Sequence, residues 1–203
     1  IAQEQEENSF TLNGHLISTN VLDVREYVNQ TAYLAAVPDG VSSFVQWQLL
    51  TSHKAFDKNS SYGYSDVGAD LGDQWLLPGY DDSSWSVGLG ILGYNNNEST
   101  IIDFGPNQDD KDVTTYFRQK FQMSSIIEVQ FLELGILVDD GAIIYLNGEE
   151  AGRINMPTGL IASETYALGN IADEKEYFVL SVSPELLIEG ENVIAVEVHQ
   201  SSS

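Results

Sequence analysis

Hydrophobic and polar positions alternate in short runs through most of the second half of the chain. In Thr115 to Met123, Phe117, Gln119, Phe121 and Met123 fall on one face and Arg118 and Lys120 on the other. That two-residue period is a strand's. Further strands are predicted at Phe131 to Val138, Ala142 to Leu146, Tyr177 to Val182 and Val193 to Val198, with one more in the first half at Phe44 to Leu50. The run Asp139 to Arg153 reads as a strand, a tight turn at Asn147-Gly148 and a returning strand. Asn-Gly between alternating apolar runs is a strong hairpin signal, because a type I′ turn needs positive φ at both central residues. Ser9 to Ser18, centred on Asn13-Gly14, is a second hairpin of the same kind. Ser183-Pro184-Glu185 before Leu186 and Leu187 is a helix start, with serine as cap and proline at the first helical position, and Gly190 is expected to end that turn.

Two stretches lack such a period. Val21 to Val37 is mixed and reads as a short helix or irregular chain. Asp57 to Gly105 is long, polar and rich in Gly and Asp, with Trp75, Trp85 and Tyr94 spaced along it. Aromatics in such a region anchor ordered loops. Many short strands separated by turns predict an all-β fold, an antiparallel β-sandwich or jelly roll. No internal repeat or low-complexity tract interrupts it.

Charge narrows the partners. Among 203 residues, 31 acidic and 8 basic side chains leave a formal net charge of −23. Such a surface repels phosphate backbones and anionic bilayers, so neither nucleic acid nor membrane insertion is expected. The acidity fits either a solvated surface suited to salty water or clusters of oxygen ligands for calcium. There are no cysteines, which excludes disulfides, thiolate zinc sites and cysteine nucleophiles. No apolar run approaches the ~20 residues of a membrane helix. The opening IAQEQEENS is acidic and polar and shows no signal peptide, though it suits a mature N-terminus.

Several motifs then fall into one order: GDQWLLPGYDDSSWSVGLGILGY, TTYFRQKF, DDGAIIYLNGEEAGRINMP and LLIEGENVIAVEVHQSS. Together they resemble the galactose-binding-like β-sandwich, in the form that recurs as an accessory module of large bacterial secreted and surface proteins. The resemblance is also similar in outline to the sugar-binding domain ahead of the barrel in some β-galactosidase-type glycosidases. It covers roughly Ser61 to Ser201. It implies residues 44–203 as the sandwich and residues 1–43 as an N-terminal extension or linker that can contribute strands. The family's sandwich continues past HQSS into a last core strand with no counterpart before Ser203. Either the chain is a fragment, or another segment supplies that strand; residues 9–18 are the candidate, within or between chains. Fold-mates bind sugars, lipids, proteins or nothing known, so the fold alone does not assign a function.

A sugar site needs an aromatic face against the apolar C–H face of the ring and planar polar groups for the hydroxyls. The candidates are Trp75 and Tyr94, with Asn95 and Asn96 beside the latter, and Asp139, Asp140, Arg153, Asn155 and His199 at strand ends. Each has a structural rival: Trp75 as a plug of the sandwich, Tyr94 packed under its loop, Arg153 paired with a carboxylate. Glu197 and His199, opposite Ile194, Val196 and Val198, are expected to be half-buried and bonded to Arg153. Calcium takes about six to eight oxygens from irregular loops. Asp66, Asp70 and Asp73 among glycines form one candidate cluster, and Asp109, Asp110 and Asp112 a second. Asp81 and Asp82 in DDSSW are explained by turn chemistry, with Trp85 pinning the turn. Three Asn-X-Ser/Thr sequons, at Asn29, Asn59 and Asn97, matter only in a host that glycosylates secreted proteins.

Catalytic signals are absent. His15, His53 and His199 are in no zinc-ligand spacing, and there is no GxSxG elbow, P-loop or dinucleotide fingerprint. Asp139 and Asp140 are sequence neighbours, a poor acid/base dyad if a strand runs through them. The expectation is a non-catalytic carbohydrate- or surface-binding accessory module of a secreted or cell-surface bacterial protein, with a glycan or polysaccharide as partner and calcium as a structural ion. The alternative is a structural or assembly module packing against a catalytic domain or neighbouring subunit, by strand addition among other ways. A third class is a glycoside hydrolase, whose carboxylates carry no local motif. A buried Trp75 and Tyr94 with an apolar patch elsewhere favours assembly; an exposed aromatic platform favours sugar.

Overall fold

The computed structural model describes residues 33–36, 45–48, 55–56, 59–94, 98–107, 111–127, 129–172 and 177–202. The chain divides into two units, Ile1–Lys54 and Ala55–Ser203. In the first, β1 (Tyr33–Ala36) and β2 (Val45–Gln48) pair antiparallel, Tyr33 opposite Gln48. The Phe44 to Leu50 expectation is therefore a strand, and the described end of the ambiguous Val21 to Val37 stretch is a strand rather than a helix. The Ser9 to Ser18 hairpin, His15 and His53 lie outside the described residues.

The second unit is an antiparallel β-sandwich. Its larger sheet joins β3 (Ser61–Ser65), β4 (Ser86–Leu89), β7 (Thr114–Met123), β9 (Gly141–Leu146), β10 (Glu149–Ile154) and β12 (Gly190–His199) in the order β10-β9-β12-β7-β3-β4. A second sheet pairs β8 (Leu132–Ile136) with β11 (Phe178–Val182). Between β4 and β7, β5 (Leu92–Gly93) and β6 (Thr100–Ile101) make a short parallel pair. The core lies where the two sheets face. Ala142, Ile144, Ile154 and Ile194 on the larger sheet meet Leu134, Ile136, Phe178 and Leu180 of the smaller one. Leu146, Val182 and Leu187 extend that layer past Phe121 and Met123, the face expected for those two β7 residues.

Local chemistry accounts for the elements. Asn147 and Gly148 take φ of 55° and 95°, so β9 and β10 are joined by the expected I′-type turn. Asn147 also ties the turn to β12, with its Oδ1 accepting from Val193 N at 2.9 Å and its Nδ2 donating to Asn192 Oδ1 at 2.8 Å. A bulge between Glu150 and Gly152 inserts Ala151 into the core layer. Pro184–Leu186 forms one 3₁₀ turn, with Ser183 Oγ accepting from Glu185 N at 3.3 Å. Gly190 does not end that turn: Leu187 is already extended, and Gly190, at φ 98°, opens β12.

The Asp57 to Gly105 region departs from the loop expectation, since β3 and β4 extend the main sheet beyond β7. SYGYS and SVGL are short and half serine and glycine, so their apolar content is too low to signal a strand. Their pairing comes from β7, where Tyr64 lies opposite Phe117 and Gly63 opposite Arg118.

Candidate functional site

The other face of the main sheet is polar and aromatic, and loops cover it in place of a second sheet. Strand alternation puts Thr114, Tyr116, Arg118 and Lys120 of β7 beside Ala195, Glu197 and His199 of β12 and Ile143 and Tyr145 of β9. Trp75, held in a single 3₁₀ turn (Gln74–Leu76), packs over this face at 2% exposure, in edge contact with Tyr116 at 4.9 Å and Tyr145 at 6.1 Å. Arg118 clamps the Trp75 loop from below. Its guanidinium donates to the carbonyls of Trp75 and Leu77 and, at 2.9 Å, to the Asp82 carboxylate, which also pairs with Lys120 at 3.1 Å. Burial alone would raise the Asp82 carboxyl; its bonds to Arg118 and Lys120 outweigh that and hold it below its ordinary value. Asp81 makes the expected Asx turn, its Oδ1 accepting from Ser83 N at 3.1 Å.

A chain of buried polar groups runs along the same face. The Tyr145 hydroxyl donates to Glu197 Oε1 at 2.7 Å, and burial, then the Glu197 carboxylate, push the phenol far above the usual tyrosine range. Glu197 Oε2 lies 3.3 Å from His199 Nε2 without an aligned hydrogen bond. His199 Nδ1 is 2.7 Å from Thr165 O and 2.9 Å from Thr114 Oγ1. Because a carbonyl only accepts, Nδ1 carries the ring proton. Glu197 and His199 share a face as expected, and are more deeply buried than expected, at 8% and 0% exposure. Arg153 is not their partner: it forks onto Glu150 at 2.6 and 2.7 Å and donates to the carbonyls of Pro157 and Gly159.

At the loop end of this face, a cavity of about 290 Å³ is lined by Gly68, Asp70, Lys111, Asp112, Ser163 and Glu164, with Thr114 at its floor. The Asp112 carboxylate sits against two loops at once: a Cβ on Gly68 would fall 2.5 Å from it and one on Gly105 2.8 Å. Only glycine permits both approaches. Tyr94 stands beside this end, half-buried, with its hydroxyl 3.3 Å from Thr115 Oγ1, Phe104 edge-on at 5.9 Å and Lys111 Nζ 4.9 Å from the ring centre.

The expected ligand residues are thus dispersed. Trp75 has no open face, which corrects its reading as a stacking platform: its ring fills the space between loop and sheet. Asp140 is buried and accepts from Ser201 N at 2.8 Å, and Asn155 at φ 52° donates to Asp140 O and Gly169 O. Asp139 and Asp140 precede β9, so no strand runs through the pair. Asn95 and Asn96 lie outside the described residues, as do Asp109 and Asp110. Of the carboxylates expected around calcium, Asp66 accepts from Asp103 N at 2.7 Å and Asp70 from Gly72 N at 2.9 Å, while Asp73 begins the Trp75 turn with no side-chain cap bond. Among the described residues no three His, Asp or Glu side chains converge as a metal site. Asp70 and Asp112 both line the cavity. Lys111, Ser163 and Glu164 were missed, because they join that wall only through the fold. Arg118 was visible as a charge in an alternating strand, but its partner Asp82 is 36 residues away.

Fold and site together define a domain-sized antiparallel β-sandwich with one apolar and one polar-aromatic face. No protein-family model matches the chain, and a search of curated proteins finds no match. Among solved structures, Bacteroides uniformis β-glucuronidase superposes with a TM-score of 0.50 at 16% identity, over 74% of this chain and 15% of that one. A β-glycosidase from Bacteroides vulgatus gives 0.48 at 18% identity, over 74% and 18% of the two chains. A β-glucuronidase from an uncultured Clostridium sp. gives 0.45 at 22% identity, over 73% and 23%. The likeness to the first is one of fold, and this chain spans 15–23% of the length of the three. No helix among the described residues is long and apolar enough to cross a membrane.

Proposed function

We propose that the Ala55–Ser203 unit is a non-catalytic accessory module, of the galactose-binding-like type, in a larger extracellular bacterial protein, and that it works by packing against a neighbouring domain or subunit. The observation that carries this reading is an inversion of exposure. The tryptophan that would face a sugar is buried, while edge strand β4 presents Val87 at 71% and Leu89 at 54% exposure. Ile91 and Ile101, in the β5–β6 segment that follows, are 43% and 53% exposed. An apolar sheet edge is a surface that pairs or packs. A match to 15% of a glycosidase chain supports an accessory domain over a catalytic body.

The test is sedimentation velocity of the chain across a concentration range, alone and with the flanking domains of its parent protein. Association that disappears in a Val87→Lys/Leu89→Lys variant of unchanged melting temperature is the expected result. A chain that stays monomeric and ignores those domains overturns the reading.

The cavity favours a second reading, a glycan partner. Asp70, Asp112, Ser163 and Glu164 offer hydroxyl-directed groups, and Tyr94 stands alongside. A glycan array, run with calcium and again with a chelator, checks it. Discrete hits that vanish in Glu164→Ala support it, loss with chelator adds the metal, and a blank array from folded protein removes it for the glycans tested.

A further inference from the structure

We propose that the segment from Ala162 to Leu168 is a latched strap forming one wall of the cavity, and that His199 is its latch. The strap contributes Ser163 and Glu164 to the lining, which Gly68–Asp70 and Lys111–Thr114 complete. Little apolar burial holds it down. Within it only Ala167 is buried, in the small cluster of Ile143 and Met156, while Tyr166 and Leu168 are 44% and 69% exposed and the adjoining Leu160 fully so.

Polar bonds hold it instead, and those at its Ser163–Thr165 end converge on one ring. His199 Nδ1–H donates to Thr165 O at 2.7 Å. The Thr114 hydroxyl, 2.9 Å from the same nitrogen, donates to Ser163 O at 2.5 Å. A carbonyl has no proton to give, so the Thr114 oxygen is an acceptor toward the ring and a donor toward the strap. One strap carbonyl, Thr165 O, is thereby held directly by a fully buried imidazole, and a second, Ser163 O, is held through the Thr114 hydroxyl that the same ring orients. The far end has backbone ties of its own, Ala167 N to Gln200 O at 3.0 Å and Leu168 N to Asn155 O at 2.9 Å, and so acts as the strap's fixed end. Glu197, beside Nε2 and itself held by Tyr145, limits how the ring can turn.

A segment with few apolar contacts and a few polar anchors opens locally at far lower cost than the sheet beneath it. Removing the latch therefore frees the strap, and with it the cavity wall, while β7, β9 and β12 stay closed. This holds whatever the cavity binds.

Amide hydrogen exchange of the full chain tests it. In His199→Phe, which keeps the ring volume and removes the donor, exchange across 163–168 should rise at least tenfold with β7 and β12 unchanged. In His199→Asn, whose amide sits where Nδ1 does, protection should be largely retained. If His199→Phe does not fold, Thr114→Val carries the test, loosening the Ser163 end alone. Because the chain has no cysteine, a Ser163→Cys probe gives a second readout, its thiol labelling faster in either loosened variant. Strap protection unchanged in these variants, or exchange accelerated equally over the whole sheet, overturns the proposal.

Discussion

The two faces of the main sheet are built on opposite principles although they share the same strands. On one face Ile144 and Ile194 meet another sheet, and the contact is apolar and indifferent to direction. On the other, one residue along, Arg118, Glu197 and His199 are just as buried, yet loops cover them and directed hydrogen bonds hold them, with His199 Nε2 left without an aligned partner. The apolar face can be repacked by any side chain of the right volume. The polar face fixes which loop lies where, because a lost partner leaves a desolvated charge rather than a gap. Nearly everything a ligand could touch, the cavity and its strap included, belongs to the polar face.

The strongest way to break this contrast is Arg118→Met. It strands the carbonyls of Trp75 and Leu77 and leaves Asp82 to Lys120 alone, and about 2–4 kcal/mol of unfolding free energy should be lost in a urea titration. Ile144→Ala, its counterpart on the apolar face, should cost about 2–5 kcal/mol from a fully buried site. The difference lies in the rescue. Adding Asp82→Asn to Arg118→Met removes the charge left with Lys120 alone and should recover some of the loss, with a coupling of about 0.5–3 kcal/mol. No second truncation rescues Ile144→Ala. Equal and strictly additive losses on both faces would erase the distinction.

Legibility in the sequence divides along the same line. The apolar face is a period, and β7, β9, β11 and β12 are readable from it because alternation is local. The Asn147-Gly148 turn was equally plain, since its dihedral demand is met by those two residue types. The polar face is a set of pairings between distant segments: Asp82 with Arg118, Tyr145 with Glu197, Thr114 and Thr165 with His199. Nothing local in DDSSW says that its second aspartate rather than its first reaches an arginine. Trp75 was visible as an anchor, but whether its ring faces water depends on Arg118 pulling the loop down. Strands β3 and β4 escaped because their pairing is imposed by a neighbour and not by their own composition.

A smaller effect sharpens the hairpin that both faces share. Gly148→Ala puts a side chain at φ 95° and its Cβ 3.0 Å from Leu77 Cδ2, at the edge of the Trp75 loop. A loss of about 1–2 kcal/mol is expected, from backbone strain with a modest clash. Tryptophan fluorescence should shift with it, since the Leu77 contact ties the turn to the loop that buries Trp75. A shift without a stability loss would place the strain elsewhere.

The smallest effect distinguishes the faces by proton alone. Asp82 sits below its ordinary value, so the stability it adds is complete above the unfolded value of about 3.9 and is lost as pH falls through the lowered one. Tyr116 is pushed the other way, to about 12, by burial first and the Glu197 charge second. A phenol that ionises later when folded stabilises fully below about pH 10, and that contribution disappears as pH rises toward 12. The polar face should therefore loosen at both extremes, with Trp75 reporting by fluorescence, while exchange protection of Ile144 and Ile194 on the apolar face holds until global unfolding. Absorbance near the tyrosinate band should show the phenols of Tyr116 and Tyr145 ionising later in folded than in urea-denatured protein. Were Tyr116 to ionise as readily in folded as in denatured protein, its ring would be open to solvent, and the Trp75 loop would not be the lid over this face that the Arg118 clamp makes it.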